Sequence, residues 1–212
     1  ELIGKYFGPF FRSNLKILDN LEKSKIQSSE KERESIIKRM WGNYGRILSE
    51  YVYLKQFRQN KLKKFIEIQG LEILKEIKES GDQVVFVSGH FNNFELMAME
   101  IDKAGIKLCA IYRPLNNPFL NIIMERIRKK YICKNQIKKG KGGTRELLNL
   151  FNKKFSVALM IDQRVSEGES VEFFNRLAKT TTIPAQIVKK YNCKVVPVYV
   201  ERINDINFKI SF

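Results

Sequence analysis

The chain has 212 residues, with 39 Lys and Arg against 23 Asp and Glu for a formal charge of +16, and it is 43% hydrophobic and 29% charged. This profile excludes a disordered or fibrous chain, and the length suits one α/β domain with a buried core better than two. The charge calls for an acidic partner, whether nucleic acid, anionic lipid or an acidic carrier protein, and no apolar run reaches the roughly 18 to 20 residues that cross a bilayer.

In chain order, residues 1–65 read as a helical segment. Leu2, Ile3, Tyr6, Phe7, Phe10 and Phe11 cluster beside Lys5 and Arg12. That mixture fits either a headgroup layer or ordinary helix packing. Ile36, Ile37, Met40, Tyr44, Ile47, Leu48, Tyr51 and Leu54 recur at spacings of three and four, which predicts a stripe packed on the core.

From 66 to 212 helices and strands alternate, so this stretch is expected to be the core of a single structural domain, and a C-terminally incomplete one since it stops at Phe212 inside an apparent strand. A helix over Leu71–Lys78 ends at Ser80-Gly81, and Val84–Val87 follows as a buried strand. Helices are expected over 94–104, 119–130, 145–151 and 184–191, and strands over 107–112, 157–161 and 195–200. The basic, glycine-rich stretch Lys138–Gly143 lacks the phosphate-loop spacing and reads as a flexible connection. Alternation of this kind predicts an α/β fold with a mainly parallel central sheet covered by helices. Cys109, Cys133 and Cys193 are an odd set without CxxC spacing, which suits a reducing, cytosolic setting.

The single histidine, His90, stands at a strand exit, where open α/β sheets place ligands. On one continuous helix Glu95, five residues on, would point about 140° away from it. With His90 in a turn and Asn92 or Asn93 capping the next helix, the Glu95 carboxylate can fold back to the imidazole. A carboxylate-held imidazole is a general base able to activate a hydroxyl. Read structurally, a lone histidine is a satisfied fold residue and an early-helix glutamate serves the helix dipole.

Gly89-His90-Phe91-Asn92-Asn93-Phe94-Glu95 resembles the HX4(D/E) motif of the glycerolipid acyltransferase superfamily. With Met40–Arg46, Tyr112–Pro118, Met160–Arg164, Val171–Thr182 and Val195–Val198 in order, the chain resembles the late acyltransferases of lipid A biosynthesis over nearly its whole length. The resemblance implies a glycerol-3-phosphate acyltransferase-like fold and a membrane-associated O-acyltransferase at the cytoplasmic face of the bacterial inner membrane. Its partners would be an acyl carrier protein, a lipid acceptor and an anionic membrane surface, with no nucleic acid expected. It implies His90 as base with Glu95 as its partner, and substrate contacts from Arg113, Asn117, Asp162, Gln163 and Thr180. Arg113 suits a phosphate on physical grounds as well, since a guanidinium makes paired hydrogen bonds to it. Thr180–Thr182 precede a helix that their hydroxyls can cap. No metal and no cofactor are expected, with acyl-acyl-carrier-protein or acyl-CoA as co-substrate. Asn175 and Ile183 stand where the family often has glycine, and Asn175 tolerates the left-handed backbone such a turn needs. The rival readings are an O-acyltransferase of another lipid, a lysophospholipid or a phosphoinositol mannoside, and a basic nucleic-acid-binding protein.

Overall fold

A computed structural model describes residues 1–11, 13–24 and 28–212; Arg12, a member of the N-terminal aromatic and basic cluster, lies outside them. By contacts the chain falls into two units, Glu1–Tyr53 with Ser170–Ala178, and Leu54–Glu169 with Lys179–Phe212.

The first unit opens with α1 (Leu2–Phe11), α2 (Asn14–Lys23) and α3 (Glu30–Glu50). Ser29 and Glu32 start α3 with a reciprocal capping box, the serine hydroxyl accepting from Glu32 N–H and the glutamate accepting from Ser29 N–H. Packing against α3 departs from the stripe expected above. Helix α1 lies on the glycine side of α3: a Cβ on Gly4 or Gly8 would collide with Trp41. Close backbone approach at small residues sets this crossing, so the apolar stripe is only partly covered. Ile37 and Ile47 are buried, whereas Tyr44 and Leu48 are exposed.

The second unit begins with α4 (Leu54–Arg58), β1 (Ile66–Gln69) and α5 (Leu71–Ser80), which Gly81 ends in a left-handed conformation with φ 68°. Then come β2 (Val84–Ser88), α6 (Glu95–Lys103), β3 (Leu108–Tyr112), α7 (Pro118–Tyr131), β4 (Asn135–Lys138), α8 (Lys141–Asn152) and β5 (Ser156–Met160). In sequence a hairpin of β6 (Glu169–Phe173) and β7 (Arg176–Thr180), whose residues Ser170–Ala178 belong to the first unit, precedes α9 (Ile183–Tyr191), β8 (Lys194–Pro197), β9 (Tyr199–Ile203) and β10 (Asn207–Ser211) of the second. Phe174 and Asn175 turn the hairpin with positive φ of 50° and 56°, as expected for Asn175.

The main sheet has the order β4-β3-β5-β2-β8, with every neighbouring pair parallel. Its core includes Val85, Cys109, Ile137, Leu147, Phe151 and Val157, and Leu96, Met97, Met99 and Ile101 of α6 are buried as well. The α/β class read from alternation holds, with two local corrections. Lys138–Gly143 is not a flexible connection: Lys138 ends β4, and Gly142 and Gly143 lie inside α8, where a Cβ on Gly143 would strike the Lys138 carbonyl oxygen. The strand expected over 195–200 is two strands. Pro197, with no N–H to donate, closes β8 at the sheet edge, Val198 N–H makes a last bond to Val87 O at 2.8 Å, and β9 joins a second sheet of order β1-β10-β9.

Candidate active site

Register builds the site. Strands β2 and β5 are parallel neighbours with Ser88 opposite Met160, and Ile161 N–H continues the ladder to Ser88 O at 2.9 Å. Two residues beyond each strand end, His90 and Asp162 therefore emerge side by side. Asp162 Oδ2 accepts from His90 N–H at 2.8 Å, and Oδ1 lies 2.8 Å from His90 Nδ1. Gly89 makes room for this clamp, since a Cβ there would meet the Phe91 ring at 2.8 Å and Asp162 Cγ at 3.3 Å. A carboxylate can only accept, so Nδ1 carries the proton and the lone pair of the neutral ring lies on Nε2. The ring also stands edge-on to Phe94 at 4.8 Å between centroids.

This corrects the partner read from the sequence. Glu95 does not hold the imidazole. It opens α6 with its side chain 7% exposed, and its Oε1 accepts from Arg128 Nε at 2.8 Å. Arg128 comes from α7, its own side chain 13% exposed, with its guanidinium 5.8 Å from the centre of the Tyr112 ring. The reason is local: Phe94 is the residue before α6, and neither Asn92 nor Asn93 caps the helix through its side chain. Asn92 instead takes a left-handed φ of 45° and donates from Nδ2 to Val200 O at 3.1 Å, tying the loop to β9. Arg128 was missed in the sequence, where it reads as one more cation at the basic end of a helix. A signal for Asp162 did exist in the matched exits of two strands.

The other expected residues are dispersed. Gln163 Nε2 lies 3.5 Å from His90 Nε2, too long for a strong hydrogen bond yet beside the basic nitrogen. Arg113 is exposed just past the end of β3. Asn117 caps α7, its Oδ1 accepting from Phe119 N–H at 3.0 Å and Leu120 N–H at 3.1 Å. Thr180 ends β7. Before α9 the threonines divide: Thr181 Oγ1 accepts from Ile183 N–H at 3.4 Å, while Thr182, the N-cap residue, makes no capping bond and its Oγ1 accepts from Gln186 Nε2 at 2.9 Å.

Beside the clamp lies an apolar cavity of about 810 Å³, lined by Val87, Gly89, Phe91, Ile161, Asp162 and Val198 among others. Both neighbours of His90 and its carboxylate partner thus border a space of the size that takes a small-molecule ligand, about 300–1,000 Å³. The thiols are unsuited to nucleophilic chemistry. Burial pushes Cys109 and Cys133 up to about 12, and it raises the half-buried Cys193 as well.

The architecture and the strand-exit acid–histidine pair define an α/β protein with a carboxylate-clamped histidine beside an apolar cavity. Residues 1–212 match the family model for bacterial lipid A biosynthesis acyltransferases. Similar proteins include a lipid A biosynthesis myristoyltransferase of Escherichia coli K12, 22% identical over 93% of this chain and 61% of that protein. Lipid A biosynthesis acyltransferase 1 of Shigella flexneri is likewise 22% identical over 93% of this chain and 61% of its own. A lipid A biosynthesis palmitoleoyltransferase of E. coli K12 is 27% identical over 76% of this chain and 52% of that protein. The chain belongs to the bacterial lipid A biosynthesis acyltransferase family, and it spans about three fifths of the length of the first two relatives.

Proposed function

We propose that the protein transfers a fatty acyl group from a thioester donor, acyl-acyl-carrier-protein, to a hydroxyl of a lipid A precursor. The observation that carries this reading is the imidazole clamped through Nδ1 by Asp162 at the edge of an apolar cavity. In the reaction Nε2 of His90 takes the proton as the acceptor oxygen attacks the thioester carbonyl carbon. The tetrahedral intermediate collapses, the carbon–sulfur bond breaks, and the imidazolium returns its proton to the departing thiolate. Asp162 fixes the ring tautomer and stabilises the imidazolium. The cavity takes the acyl chain. Glu95 acts one step removed, as a positioning residue whose ion pair with Arg128 holds the start of α6 against α7. Arg113 meets a phosphate of the acceptor, Gln163 steadies the reacting hydroxyl near Nε2, and Asn117 and Thr180 shape the rim.

The test is an acceptor and donor panel: acyl-acyl-carrier-protein and acyl-CoA, each with a lipid A precursor, a lysophospholipid and a phosphoinositol mannoside. Ester formation is read by mass spectrometry. A mass gain of one acyl group on the lipid A precursor, absent with His90→Ala, is the expected result. Acylation of a different lipid would reassign the acceptor, and no transfer from either donor would overturn the reaction.

A further inference from the structure

We infer that the outer face of α7 is an anionic-lipid docking surface, an inference that rests on the lipid acceptor proposed above. At 3.6 residues per turn, Phe119, Ile122, Ile123, Arg126, Lys129 and Lys130 fall within an arc of roughly 120°, with Arg128 on the opposite side. The structure agrees with that division. Phe119, Ile122 and Ile123 are exposed, Phe119 by 77%, while Arg128 turns inward to Glu95. Among its described residues α7 has none that is fully buried.

The exposed face is sorted along its length. Its first two turns are apolar and its last two are cationic. The surrounding sequence sharpens the sign, since from Lys103 to Arg145 there are twelve basic residues and one acid, Glu125. That acid is half-buried and engaged by Lys129 at 2.7 Å and Lys138 at 3.5 Å, and Lys129 holds its carboxyl below the usual range. An aromatic and aliphatic end followed by a surplus of cations over acids is what a helix needs to dip its first turns below the headgroups while its last turns stay at the phosphates. An acidic protein would be met by the cations, but it gives no reason for Phe119, Ile122 and Ile123 to face outward together. Docking here would bring the lipid to the helix whose cap is Asn117 and whose inner side holds Glu95.

Co-sedimentation with phosphatidylcholine vesicles, with and without phosphatidylglycerol, tests this. Wild-type protein should bind the anionic vesicles and lose binding as salt rises. Two double variants keep the inner face intact: Phe119→Ser with Ile123→Ser, and Arg126→Glu with Lys130→Glu. Each should retain the wild-type circular dichroism spectrum and lose more than about tenfold in affinity for anionic vesicles. The apolar variant should keep wild-type turnover on a detergent-dispersed acceptor. Unchanged vesicle binding by both variants overturns the surface, as does wild-type protein that ignores vesicles and binds an acidic carrier protein through these residues. Vesicle binding lost in the variants from a protein that transfers no acyl group keeps the surface and removes the acyl-transfer reading. Transfer in detergent with vesicle binding unaffected by the variants does the reverse.

Discussion

At His90 the chemistry depends on which nitrogen carries the proton, and because the chain has one histidine, nitrogen NMR reads that ring without ambiguity. The neutral ring should be protonated on Nδ1 and bare on Nε2. Asp162→Asn should change that balance, because an amide can also donate to the ring, while Glu95→Gln should leave it as it is. A ring that responds to Glu95 and ignores Asp162 would reverse the assignment of partners. Glu95 has a different sensitivity. Removing Arg128 takes the guanidinium away from a buried carboxylate, so Arg128→Ala should cost about 3–5 kcal/mol in urea unfolding. A loss within experimental error would show that pair to be unimportant for folding. The thiols supply a pH prediction. Cys109 and Cys133 stand near 12 against an ordinary value of 9.0, so the folded state holds its thiol protons more tightly than the unfolded one. Their contribution to stability is therefore complete below about 9 and declines as pH rises from there towards 12. Alkylation of these two cysteines at pH 8 should consequently track unfolding, with the half-buried Cys193 modified first.

Among the elements, α6 and α7 do the most to place the site. Leu96 is fully buried in α6, and Leu96→Ala should cost about 2–5 kcal/mol, the transfer and cavity terms together. Asn117→Ala removes the hydrogen bonds that cap α7 and should cost about 1 kcal/mol, read as a lower midpoint in thermal unfolding. These elements were largely legible in the sequence. The helix-ending Gly81 marked the end of α5, buried apolar runs marked β2, β3 and β5, and the single histidine at a strand exit drew attention to the correct loop. What was not legible was pairing across the chain. Asn135–Lys138 has one buried apolar residue, Ile137, so it carries no strand periodicity of its own and becomes β4 only beside β3. Arg128 lies 33 positions from Glu95, a separation at which local spacing says nothing. Asp162 was readable as part of the rim but not as the imidazole's partner, because that depends on Ser88 pairing with Met160 rather than with a residue one step away.

Over the molecule as a whole, charge and burial are unevenly distributed. Among the described residues the unit of Glu1–Tyr53 and Ser170–Ala178 leaves Leu2, Ile3, Tyr6, Phe7 and Phe10 of α1 exposed, which is the aromatic and basic segment that either helix packing or a headgroup layer could explain. No helix among the described residues is long and apolar enough to cross a membrane. With so little burial, α1 and α2 should exchange their amide hydrogens well before β2, β3 and β5, whose residues are mostly buried. Comparable protection in both sets would contradict that ranking. The +16 charge, which alone suits nucleic acid as well as lipid, is consistent with the lipid acceptor proposed above. If the clamped imidazole activates the acceptor hydroxyl, the decisive quantity is the acyl-transfer turnover of folded His90→Ala protein on a lipid A precursor. A loss of about 10² to 10⁴ relative to wild type is the predicted result, and turnover equal to wild type would contradict it.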